Sequence, residues 1–146
     1  MGDVEAWLVG LEIANHVTLR LEGRGPGADR ALRTYRQAHE TWLANPQTDP
    51  PDWPAIHLLE IRQTVTDNIG THYTLASATG GGERHPWRYV SNYLPVPPEQ
   101  ASSLRLSFEA HGQIWTWKFR SLDAPQCLDR LHCHAAIRAR PARYLG

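Results

Sequence analysis

The sequence predicts a mainly β fold, an antiparallel β-sandwich or barrel with one inserted α-helix at about residues 28–44. Three observations support this expectation. Apolar residues alternate with polar residues in several short stretches spread along the chain. Turns rich in glycine and proline separate these stretches. One segment changes to steps of three and four residues, which is the pattern of an amphipathic helix.

The first part of the chain predicts a β-hairpin. Apolar residues stand at every second position from Trp7 to Ile13, and a second alternating stretch runs from Val17 to Leu21. Such alternation is typical of strands with one buried face. Asn15-His16 lies between the two stretches and marks the turn. The glycines and proline of 23–27 end the hairpin, because both residue types interrupt a strand ladder.

Residues 28–44 predict the inserted helix. Leu32, Tyr35, His39 and Trp42 recur at steps of three and four residues, with arginines between them. We expect this apolar stripe to cover one face or end of a sheet. Four prolines follow within residues 45–54, so this segment is a loop rather than a helix interior or a central strand.

The second half of the chain predicts further strands. Alternating stretches over 59–65 and 71–75 flank Asp67-Asn68-Ile69-Gly70, a favourable hairpin turn. The remaining strand patterns lie at 87–94, 104–108 and 114–119, and the last of these places Trp115, Trp117 and Phe119 on one face, which we expect to be core. Residues 128–140 fit either a strand or a helix, and we favour a strand.

The segment Val65–Tyr73 resembles a pattern found in uncharacterised actinobacterial proteins and in some Ig-like domains attached to bacterial regulators. In that pattern a strand ends in Asp-Asp or Asp-Asn, followed by an apolar residue, Gly-Thr, one variable residue and Tyr. The order of the following loops and strands also agrees, so the resemblance covers about residues 56–119. It implies an antiparallel Ig-like β-sandwich. It transfers no catalytic residue to this chain.

Length and composition restrict the class of protein. The 146 residues, 41% hydrophobic and 21% charged, predict a single globular domain over 1–146 with a basic C-terminal tail at about 130–146. No apolar run approaches the length of a membrane-spanning helix, so we expect no membrane association. The acidic start lacks the features of a secretory signal, so the expected location is cytoplasmic. A net charge of zero argues against nucleic-acid binding.

No catalytic motif is recognisable in the sequence. It lacks a nucleophile-elbow Gly-x-Ser-x-Gly, a phosphate-binding P-loop, a dinucleotide-binding Gly-x-Gly-x-x-Gly and a His-Glu-x-x-His zinc motif. We therefore expect a non-enzymatic protein without a cofactor. The first hypothesis is an interaction or accessory module that contacts a protein partner or a second copy of itself. Its expected contact surface consists of Arg33, Arg36, Trp42 and Trp53.

Two alternatives belong to other functional classes. A metal- or small-ligand-binding sandwich would use His132 and His134, which share one face if their segment is a strand. A carbohydrate-binding module would use Trp87 and Tyr89 as an exposed aromatic platform. The sequence leaves open whether three further histidines near predicted turns share one end of the sandwich: His72, His85 and His111.

Overall fold

The computed structural model describes residues 4–120 and, as a short strand, Ala135–Ile137. Within this part of the chain, strands dominate, and the predicted mainly β class is confirmed. In chain order the elements are β1 (Glu5–Ile13), β2 (Val17–Arg24), α1 (Pro26–Ala44), a 3₁₀ helix (Pro54–Glu60), β3 (Arg62–Asp67), β4 (Thr74–Gly80), β5 (Arg88–Leu94), β6 (Ser103–Ala110), β7 (Gln113–Arg120) and β8 (Ala135–Ile137).

The strands form two antiparallel sheets that share one hydrophobic core. One sheet has the order β4-β5-β2-β1-β8 and the other the order β3-β6-β7. Both sheets contribute side chains with at most 1% exposure, among them Leu8, Leu19 and Leu21 from the first sheet and Leu104, Leu106 and Phe108 from the second. The arrangement is sandwich-like, because each sheet has one face in the common core.

The predicted hairpin of β1 and β2 is confirmed, but the faces of β1 differ from the alternation in its sequence. A bulge between Leu8 and Gly10 shifts the register, so Leu8 and Leu11 are both buried although they are three residues apart. Trp7 lies on the outer face, where the Arg24 guanidinium is 5.0 Å from its ring centre. One extra residue in a strand reverses which side chains face the core.

The prediction of a hairpin across Asp67–Gly70 is wrong. β3 belongs to the three-stranded sheet and β4 to the five-stranded sheet, so residues 68–73 connect the two sheets. The strand expected from Leu59 also begins later, at Arg62. Residues 54–60 form the 3₁₀ helix instead, which buries Leu58 and leaves Leu59 55% exposed. This second helix was not predicted.

The helix expected at 28–44 is found as α1 at Pro26–Ala44, and only its beginning is deeply buried. Gly27 and Ala28 are its buried residues. The indole Nε1 of Trp87 donates a hydrogen bond of 2.9 Å to the Ala28 carbonyl, which joins the first turn to the five-stranded sheet. The rest of α1 packs lightly and presents most of its surface to solvent.

The β6–β7 hairpin agrees with the prediction. Its two turn residues, His111 and Gly112, have φ values of 52° and 74°, the positive values that a tight two-residue turn of this type requires. Trp115, Trp117 and Phe119 pack against the core as partly buried side chains. The strand favoured for the C-terminal segment is found at β8, which pairs with β1; the rest of 128–140 lies outside the described residues.

Candidate functional site

β4 is an edge strand with unusual exposure. All seven of its residues are exposed, and its sequence, Thr-Leu-Ala-Ser-Ala-Thr-Gly, contains no charge. No strand of the described chain pairs with its outer side. The edge strands of the other sheet carry charges, Arg62 and Asp67 on β3 and Lys118 and Arg120 on β7. Charges on an edge discourage pairing with another chain, and β4 lacks this protection.

A groove of about 520 Å³ lies between β4 and the neighbouring edge of the other sheet. We call it the β3–β4 groove. No charged residue lines it, and three of its nine lining residues are tyrosines. The complete lining is Leu59, Ile61, Gln63, Thr64, Val65, Tyr73, Leu75, Tyr89 and Tyr93.

The difference in width between the two sheets explains the groove. Leu75 of β4 pairs with the buried Tyr93 of β5, and directly opposed residues lie on the same face of a sheet. Leu75 is therefore on the inner face, yet it remains 53% exposed because β3 is the last described strand of the three-stranded sheet on this side. Leu59, in the 3₁₀ helix, is similarly exposed at 55%.

A polar contact joins the two sheets beside the groove. The Gln63 Oε1 of β3 accepts hydrogen bonds from the Ser91 hydroxyl at 2.7 Å and from the Tyr93 hydroxyl at 3.4 Å, both on β5. Ser91 is only 1% exposed, so it depends on this partner. Burial raises the pKa of the Tyr93 hydroxyl above its ordinary value.

The carboxylate of Asp67 organises the connection between β3 and β4. Its Oδ1 accepts the backbone N–H groups of Ile69 and Thr71, each at 3.0 Å, and its Oδ2 accepts the Tyr73 hydroxyl at 2.8 Å. Partial burial acts to raise the pKa of Asp67, but hydrogen bonds from Thr71, Tyr73 and Ile69 outweigh it and lower the pKa to about 2. The ionised carboxylate thus holds Tyr73 at the groove.

Asn68 makes a separate connection from the same turn. Its Oδ1 accepts the backbone N–H groups of Ser102 at 2.8 Å and Ser103 at 3.2 Å, at the start of β6. Asp67 and Asn68 therefore have structural roles in the connection between β3 and β4. Asp67 stabilises the turn internally, and Asn68 attaches the turn to the neighbouring strand.

The expected contact residues lie on α1 and the loop that follows it, and none of them lines the β3–β4 groove. Arg33 and Arg36 are exposed. The indole Nε1 of Trp42 donates a hydrogen bond of 2.7 Å to the Thr48 carbonyl. The ring of Trp53 lies 4.9 Å from the ring of Tyr35. The two tryptophans therefore hold the loop against α1, and the two arginines are the side chains available to a partner.

A second cleft, of about 410 Å³, separates α1 from this loop. It differs from the β3–β4 groove because it presents charges of both signs, including Arg30 and Asp52. Its lining is Gly27, Arg30, Ala31, Thr34, Tyr35, Ala38, Pro51, Asp52, Pro54 and His57.

The exposed aromatic platform expected at Trp87 and Tyr89 is not formed. Their exposures are only 6% and 8%. Trp87 packs against Gly23 of β2 in addition to its hydrogen bond with Ala28, and Tyr89 pairs with Gly80. Burial of these rings in the core removes the surface on which a sugar could stack.

His132 and His134, the alternative metal ligands, lie outside the described residues. Within the described part of the chain, no three His, Cys, Asp or Glu side chains are grouped to hold a metal ion. The loop histidines do not all share one end of the sandwich. Asp67, five residues before His72, pairs with Leu104 at the start of β6, whereas His111 follows the end of β6.

Sequence reasoning did not identify the groove residues Gln63 and Leu75, nor β4 as an exposed, uncharged edge strand. The available indication was the lack of charge in 74–80, which is uncommon for an edge strand. The position of β4 at an edge depends on pairing between distant segments. The sequence alone therefore could not show that the uncharged residues 74–80 form an edge strand.

The chain matches no protein-family model, no curated protein and no solved structure. None of the helices in its described residues combines the length and apolar character needed to cross a membrane.

Proposed function

We propose that this chain is a non-enzymatic interaction module that binds a protein partner along the outer side of β4. The observation that carries the proposal is the uncharged edge of this strand, all seven residues of which are exposed. The backbone N–H and C=O groups of such an edge can hydrogen-bond with an incoming strand, and adjacent pockets give specificity for its side chains. The β3–β4 groove supplies such a pocket.

We also propose that the sandwich is Ig-like and related to the actinobacterial family that the Asp-Asn-x-Gly-Thr-x-Tyr segment resembles. Strand order supports the Ig-like assignment. The orders β1-β2-β5-β4 and β3-β6-β7 correspond to the A-B-E-D and C-F-G sheets of an Ig constant-type domain. In this assignment α1 is an insertion between the second and third strands, and β8 is an addition beside the first.

Arg33 and Arg36 remain in the proposal as a second contact surface. Both guanidinium groups belong to exposed residues of α1, so they are available to acidic groups of a partner. They are separate from β4, so substitutions can test the two surfaces independently.

The test uses a lysine on the edge strand. Ala78 is exposed and pairs with Ser91, so its side chain lies on the inner face of β4. Ala78→Lys therefore places a charge on this face without displacing a core residue. Peptides are selected from a phage-displayed random library on the intact chain and resynthesised for affinity measurements. We expect Ala78→Lys to weaken their binding about tenfold or more, because an inward charge opposes strand addition.

Two variants serve as matched controls. Thr116→Lys adds the same charge at an exposed position of β7, and Arg33→Ala with Arg36→Ala removes the second surface. Both should retain affinity for peptides selected through β4. If no peptide is selected, or if Ala78→Lys binds as well as the unaltered chain, β4 is not the binding edge.

A further inference from the structure

We infer that the occupant of the β3–β4 groove is an extended, uncharged segment of a partner protein that pairs with β4 and inserts apolar side chains between Leu59 and Leu75. This inference rests on the proposed function, because it requires β4 to accept a strand. It goes beyond the proposed function by specifying the kind of side chains that the partner segment carries.

The absence of charge defines that chemistry. None of the nine residues that line the groove is charged, and neither is any residue of β4. A charged side chain entering this groove would lose hydration without meeting an opposite charge on the lining. An apolar side chain would instead cover exposed leucine surface, so the groove favours uncharged, apolar side chains.

The geometry of a strand gives the spacing of these side chains. Leu75 lies on the inner face of β4 and is 53% exposed, and Leu59 of the 3₁₀ helix, which also lines the groove, is 55% exposed. Side chains of an added strand point alternately to the two faces of the extended sheet. Only every second residue of the partner would therefore face the groove, and those residues should be apolar.

A second copy of β4 does not meet this requirement. Its seven residues contain one large apolar side chain, Leu75, and the others are threonine, alanine, serine and glycine. Pairing two copies of β4 would leave most of a groove of about 520 Å³ unfilled on each copy. The groove therefore fits a foreign strand with several larger apolar residues.

Gln63 supplies a polar group for the partner. Its Oε1 accepts hydrogen bonds from the hydroxyls of Ser91 and Tyr93. Because Gln63 lines the groove, Nε2 can donate to a main-chain carbonyl of the inserted segment. This donor suits a peptide better than a pure hydrocarbon ligand.

The test uses a defined peptide and the intact chain. The probe is a capped, fluorescein-labelled heptapeptide, Thr-Val-Thr-Leu-Thr-Val-Thr, matched to the seven residues of β4. Its control has aspartate in place of the central leucine. Fluorescence anisotropy should give an affinity about tenfold or more higher for the leucine peptide. Hydrogen exchange of the Thr74–Gly80 amides should slow when that peptide is bound.

A pair of protein variants locates the apolar contact. Leu75→Glu should weaken binding of the leucine peptide about tenfold or more, because it places a charge in the groove. Leu43→Glu is the matched control, since Leu43 is also an exposed leucine, at 59%, but lies on α1 outside the groove lining. It should leave the affinity unchanged, and both variants should retain the thermal unfolding temperature of the unaltered chain.

The possible failures are distinguishable. Equal affinity for the leucine and aspartate peptides, or unchanged affinity in Leu75→Glu, overturns the assignment of an apolar occupant. If Ala78→Lys still abolishes binding of library-selected peptides, the proposed function survives that result. A peptide-free dimer in native mass spectrometry that Ala78→Lys dissociates would identify the occupant as a second copy and overturn the inference.

Discussion

At the scale of single residues, Asp67 shows how one side chain directs the chain from one sheet to the other. Its carboxylate accepts two backbone N–H groups of the connection and the hydroxyl of Tyr73. The sequence correctly predicts a turn here, because Asp and Asn favour turns through hydrogen bonds to nearby backbone groups. The predicted hairpin is wrong, because the same local hydrogen bonds also suit a connection between two sheets.

Asp67→Asn should lower the free energy of unfolding by about 1–2 kcal/mol at pH 7, because hydrogen bonds to a charged acceptor are stronger than those to an amide. The folded pKa of Asp67 is about 2, below the ordinary value of 3.8. The carboxylate therefore contributes its full stabilisation above pH 3.8 and loses it as the pH falls towards 2.

Urea unfolding from pH 7 down to the acid range measures this effect. The stability difference between the unaltered chain and Asp67→Asn should narrow in acid. Asp49→Asn removes an exposed carboxylate from the loop after α1 and should have almost no effect. A stability difference for Asp67→Asn that is independent of pH would exclude the charged form as its cause.

At the scale of secondary-structure elements, Trp87 attaches α1 to the five-stranded sheet. Its ring packs against Gly23 of β2, and its Nε1 donates to the Ala28 carbonyl in the first turn of α1. The sequence predicts α1 from its helical period and the strand that follows Trp87 from its aromatic and β-branched residues. It could not show that a tryptophan 59 residues from Ala28 joins them, because the contact depends on sheet pairing.

Gly23→Ala should destabilise the protein by about 1–3 kcal/mol, because its Cβ would overlap the Trp87 ring and force that ring to move. Gly10→Ala is the matched control in β1, since the nearest atoms to its Cβ are at 3.6 Å, an ordinary contact distance. Thermal unfolding of both variants, with hydrogen exchange of the first turn of α1, measures the effect. Equal stability of the two variants would contradict the close packing of Trp87 on Gly23.

At the scale of the whole molecule, the two sheets differ in width, and this difference creates the proposed binding surface. Among the described strands, the five-stranded sheet extends to β4, whereas the opposing sheet ends at β3. The hydrogen bonds from Ser91 and Tyr93 to Gln63 join the sheets beside the resulting groove. The groove is therefore open to solvent on one side and supported by a buried polar contact on the other.

Gln63→Leu should lower the free energy of unfolding by about 1–3 kcal/mol, because it leaves the Ser91 hydroxyl buried without a partner. Ser91→Ala removes that hydroxyl, so the double variant should lose less than the sum of the two single losses. Urea unfolding of the four proteins completes the double-mutant cycle. Additive losses would show that the two side chains are not energetically coupled.

Local chemistry determined the parts of the fold that the sequence predicts well. Strand alternation, the helical period of residues 28–44 and the glycine- and proline-rich turns depend on residues close together in the chain. They located α1, the β1–β2 hairpin and the β6–β7 hairpin correctly, but they misplaced the start of β3 and missed the 3₁₀ helix before it. The C-terminal strand was also favoured, and β8 confirms it for Ala135–Ile137.

Tertiary structure alone decided which strands pair, which face of β1 is buried and where the open edge lies. The bulge after Leu8 reversed the face of Trp7, and the core enclosed Trp87, which alternation and composition had left available for ligand stacking. Likewise, Gln63, Leu75 and Tyr93 come together only when β3, β4 and β5 are assembled. The sequence by itself determined the local elements, because their period and turn residues act over a few positions. The groove required the assembled sheets, because its residues meet only through pairing and packing of distant segments.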